Sequence, residues 1–75
     1  MTNTERADAA MIALEWHAAE KDGKGTTDMT VPGVLEEEMT DLLADLEHLA
    51  MRENINFADV KERALRHVFE ERAGR

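Results

Sequence analysis

The chain has no cysteine and no tyrosine, one tryptophan, two phenylalanines and one proline. Without cysteine it has no disulfide staple and no thiolate metal site. Three histidines, scattered along the sequence, do not make the ligand set of a structural zinc. No apolar run approaches the ~20 residues that a membrane span needs. The opening MTNTERADAA lacks the basic and apolar regions of a secretory signal. A cytoplasmic protein with no membrane contact is therefore expected. Positive charge is also scarce: nine Lys and Arg stand against 17 Asp and Glu, for a net charge of −8. That balance argues against direct nucleic-acid or anionic-lipid binding through a broad basic surface. It suits a basic protein partner, a divalent cation, or solubility alone.

At 75 residues the chain is one domain at most. A chain this short buries only about 60 % of its unfolded surface, so association with a second copy is the expected way to enlarge the core. Charge is unevenly spread. Residues 31–53 hold seven acids and one base, whereas residues 54–75 hold five bases and four acids. The last two helices should attract each other, or each other's copies across a dimer.

Every segment with a regular apolar period repeats at helical steps, and strand alternation is missing. The pattern predicts an all-α, small three-helix bundle, with helices near 3–21, 32–53 and 57–72, a loop over 22–31 and an antiparallel hairpin of helices 2 and 3. Helix 1 opens with Thr2 and Glu5 at capping-box spacing and is rich in alanine. It carries two apolar stripes: Ala7, Met11, Leu14 and Ala18, and Ala9, Ile12, Trp16 and Ala19. A helix apolar on two sides is usually packed on two sides. Trp16 either completes the core of one chain or, with Ile12, anchors a homodimer contact. In the loop, Gly23, Lys24 and Gly25 superficially resemble a phosphate-binding turn, but the spacing of a P-loop is missing.

Helix 2 is the organising segment. Leu35, Met39, Leu42, Leu46 and Leu49 form its apolar stripe, and Pro32 suits its first turn. Asn54 suits a left-handed C-terminal cap. Helix 3 starts behind Asn56 as N-cap, and its terminal residues 73–75 should fray. Leu42, Leu46, Leu49, Val60, Ala64 and Val68 are expected to share one core.

Beside the apolar stripe of helix 2, Glu38, Asp41, Asp45 and His48 recur on an adjacent face. Carboxylates one turn apart can share a hard cation such as Mg²⁺, and Asp45 with His48 could hold a softer metal. The same stripe is also what any solvated amphipathic helix presents. His17 receives no role. No Ser/His/Asp or Cys/His arrangement for nucleophilic catalysis is present.

The run Glu38-Met-Thr-Asp41 followed by LLADLEHLAMRENINFADV resembles the ExxD helix of MazG-like all-α nucleoside triphosphate pyrophosphohydrolases. The resemblance covers about half of the chain. It implies Mg²⁺ on Glu38 and Asp41. The family's earlier ExxE pair is matched in spacing by Glu5 and Asp8, with the second acid changed. The pattern DLLADLEHLA…NFADVKERALRHVFEE is similar to short, uncharacterised helical proteins of phages, plasmids and other mobile elements, and it implies no activity.

Three functions follow, in this order. The first is a non-enzymatic, self-associating protein–protein interaction or regulatory module with no cofactor. The second is a MazG-like Mg²⁺-dependent hydrolase or a degenerate relative. The third is a nucleic-acid mimic in which the acids of helix 2 stand in for phosphates.

Overall fold

The computed structural model of the chain describes residues 1–23 and 27–73. Three helices account for most of them: α1 (Asn3–Asp22), α2 (Val34–Arg52) and α3 (Phe57–Arg72). Among the described residues there is no strand, and no helix is long and apolar enough to cross a membrane. Lys24 and Gly25 of the phosphate-turn reading lie outside the described residues, as do positions 74 and 75 of the tail.

Local chemistry sets the helix ends. At the start of α1 the Thr2 N–H donates to Glu5 Oε1 at 2.9 Å, and the Glu5 N–H donates to Thr2 Oγ1 at 3.1 Å. Two otherwise orphaned N–H groups are thereby satisfied reciprocally. Gly23 ends the helix at φ 67°, and its N–H donates to the Ala19 carbonyl at 2.9 Å. Glycine adopts that left-handed conformation without the Cβ penalty.

α2 starts two residues later than Pro32 suggests. Gly33, at φ 86°, keeps the backbone out of the helical region until Val34, whose N–H donates to the Val31 carbonyl at 3.1 Å. At the other end, Asn54 sits at φ 56° and the Ile55 N–H donates to the Ala50 carbonyl at 2.8 Å. This is the six-to-one bond of a Schellman cap. α3 begins where the sequence indicates, with Asn56 Oδ1 accepting from the Asp59 N–H at 3.3 Å. One turn into α3, Lys61 Nζ lies 5.3 Å from the centroid of the Phe57 ring, a cation–π distance.

Contacts group the chain into two compact units, Met1–Asp45 and Leu46–Arg75, and α2 is one uninterrupted helix that contributes to both. In the first unit, α1 packs on the N-terminal half of α2. His17 meets Asp45 while Lys21, one turn further on, meets Glu38 and Asp41, so the two segments run antiparallel. Leu14, 4 % exposed, and Ala18 are buried on the first apolar stripe of α1, although neither is among the residues expected in the core, and Met11 is half-buried. In the second unit Ala50 is buried, Phe57 and Val60 are half-buried, and α3 contributes no fully buried residue.

Most of the residues expected to share a core between helices 2 and 3 are therefore not buried. Leu42 and Val60 are half-buried, but Leu46 is 40 % exposed, and Leu49, Ala64 and Val68 are exposed as well. The 3.6-residue period marks an apolar face on each helix. It does not state whether one chain of this length supplies enough neighbours to cover that face.

Candidate functional site

The most concentrated polar geometry lies where the C-terminal turns of α1 meet the first half of α2. Leu14 and Ala18 face α2, and His17 and Lys21 follow them by three residues each, so they flank the same packed stripe. From there Lys21 Nζ donates to Asp41 Oδ2 at 2.6 Å and to Glu38 Oε2 and Oε1 at 3.0 and 3.2 Å. Asp22 Oδ1 stands 3.9 Å away. One ammonium thus bridges two carboxylates a helical turn apart. Such charge-assisted bonds are stronger than neutral ones.

Burial makes this arrangement consequential. Glu38 is 7 % exposed, the one buried charged residue among the described residues. A buried carboxylate needs a partner or it loses more in desolvation than it gains. Lys21 is that partner. The hydrogen bonds that Lys21 donates to Asp41 first, and to Glu38 second, raise its pKa well above the ordinary value. The ammonium is therefore charged at every physiological pH.

One turn along, His17 Nε2 and Asp45 Oδ2 are 2.7 Å apart. The imidazole is largely covered and its Nδ1 is buried without a hydrogen-bond partner. With a proton on Nε2 the ring donates to Asp45 Oδ2. Both contacts tie α1 to α2 and place partial or full positive charge on the acidic face of α2.

This geometry decides where the sequence candidates stand. Glu38 and Asp41 are brought together, and the cation they share is Lys21. Asp45 is engaged by His17. His48 is exposed on α2 in the second unit. Among the described residues no group of three or more His, Asp or Glu side chains is arranged to hold a metal ion. Glu5 is committed to the capping box at the far end of α1. Asp8 lies roughly 20 Å along the helix from Lys21 at about 1.5 Å of rise per residue. Within one chain the two acidic pairs that a MazG-like Mg²⁺ cage requires are thus not assembled.

On the opposite side of α1, Ile12 is exposed and Trp16 is 70 % exposed. With Glu15 and Ala19 they line a shallow open depression. Trp16 is therefore not a core residue of its own chain.

His17 and Lys21 are the functional-site residues that sequence reasoning missed. Both lie three residues beyond a buried position of the first α1 stripe. That spacing could have marked them as flanking groups, but not named their partners across the turn. No protein-family model matches the chain, and neither does any curated protein or solved structure.

Proposed function

We propose that this chain is a non-enzymatic, self-associating protein–protein interaction module. Ile12 and Trp16 belong to its contact surface, and α2 and α3 fold back on each other as an antiparallel hairpin. The exposed indole of Trp16 carries the reading. A tryptophan left 70 % in water beside an exposed isoleucine is a costly surface unless something covers it. The exposed Leu46, Leu49, Val68 and Phe69 add to the apolar area that a second chain would cover. The binding role is favoured over hydrolysis because Glu38 and Asp41, which a hydrolase would offer to Mg²⁺, hold the chain's own Lys21.

Light scattering over a dilution series tests the proposal, with Trp16 fluorescence followed in parallel. The expected result is a dimer mass that falls towards the monomer on dilution, with the indole emission moving to longer wavelength. Trp16→Ala should shift that transition to higher concentration. A monomer mass at all concentrations, with an emission that never changes, would refute it.

A further inference from the structure

The exposed faces of α2 and α3 carry matched patterns. On α2, Glu36, Met39, Leu43 and Glu47 follow one another at steps of three, four and four residues and are all exposed. They form one stripe with an apolar centre and an acid at each end. On α3, Lys61, Leu65, Phe69 and Arg72 follow at steps of four, four and three residues and are likewise exposed. They form a stripe with an apolar centre and a base at each end. The step sequences are mirror images. When two such helices run antiparallel, Glu36 faces Arg72, Met39 faces Phe69, Leu43 faces Leu65 and Glu47 faces Lys61. Both stripes are about 16 Å long at the helical rise, so all four pairings occur in a single register.

We infer that α2 of one copy docks antiparallel on α3 of a second copy through these two stripes. The inference rests on the self-association proposed above and adds these two stripes to its contact surface. Charge and register together single out the occupant. A generic apolar partner would not need acids at the ends of one stripe and bases at the ends of the other, at equal separation. The pairing is reciprocal: the α2 stripe of each copy meets the α3 stripe of the other, so a two-fold axis closes the dimer and forms each contact twice. Met39 against Phe69 adds a thioether–aromatic contact. The end charges fix direction and register more than they add affinity.

A charge exchange tests the register. One variant carries Glu36→Lys and Glu47→Lys; the other carries Lys61→Glu and Arg72→Glu. Each alone sets like charges against each other in its own dimer, and its dissociation constant should rise about tenfold or more. In an equimolar mixture every reversed stripe finds an opposite one, so a heterodimer should form with affinity near wild type. If a chain carrying all four substitutions regains wild-type stability but the mixture of the two double variants does not associate, the stripes pair inside one chain and the inference is wrong. If either double variant associates as well as wild type, the register is wrong while self-association stands. A wild type that is monomeric throughout overturns both. Should a double variant lose helicity, Glu47→Lys and Lys61→Glu, which face each other in this register, carry out the same exchange singly.

Discussion

Two leucines on the apolar faces of their helices should respond differently to truncation. Leu14 is 4 % exposed in the α1–α2 contact, and Leu46 is 40 % exposed on α2. Leu14→Ala removes buried atoms and leaves a cavity, which costs about 2–5 kcal/mol. A chain of this size is stable by roughly 4–11 kcal/mol at 0.05–0.15 kcal/mol per residue. The substitution therefore removes a large share of that stability. At ~4–8 °C per kcal/mol the melting temperature should fall by at least about 8 °C. Leu46 keeps much of its side chain in water, so the transfer loss scales down to about 1–2 kcal/mol, with little cavity to add. If a second copy covers α2, the Leu46→Ala cost grows with protein concentration because association is linked to folding. Urea denaturation of both variants, at dilute and at high concentration, measures this. Equal costs for the two variants in dilute solution would refute the assignment of the core to Leu14.

Two further outcomes follow from the α1–α2 contact. The Lys21 pKa is raised in the folded chain above the ordinary 10.5. Its stabilising effect is fully present below that value and is lost as pH rises through the raised value. Melting temperature should thus hold steady through neutral pH and fall in strong alkali, with Lys21→Met weakening that alkaline dependence. Mg²⁺ or Mn²⁺ should leave the melting temperature where an ionic-strength control leaves it, since the ammonium already occupies Glu38 and Asp41. A metal-specific rise that disappears in Asp41→Asn would restore the nucleotide-hydrolase reading.

The helix ends were readable in the sequence because their chemistry is local. Thr2 with Glu5, Asn54 and Asn56 each act within a few residues, and each does in the structure what its spacing suggests. The start of α2 was misplaced because Pro32 fits a first helical turn while the positive φ of Gly33, one residue on, overrides it. The core was half legible. Periodicity marks the stripe that holds Leu14 and Ala18, yet it does not separate a covered apolar face from an uncovered one, and Leu46 and Val68, expected in an interior, are exposed. The polar contact was legible on the α2 side alone. Glu38 and Asp41 stand out as a pair one turn apart, but their cation comes from a residue 17 and 20 positions away in the chain, respectively. Only the register between α1 and α2 identifies it.

The way Lys21 is held also bears on its reactivity. An amine attacks an acylating reagent through its neutral form, and every interaction that holds the proton on Nζ withdraws that form. Two carboxylates bind the Lys21 ammonium, whereas Lys61 stands exposed over an aromatic ring. Amine-directed labelling, chemical or enzymatic, should mark Lys61 readily and pass over Lys21 while α1 and α2 remain docked. Label appearing at Lys21 would then report the separation of those two helices.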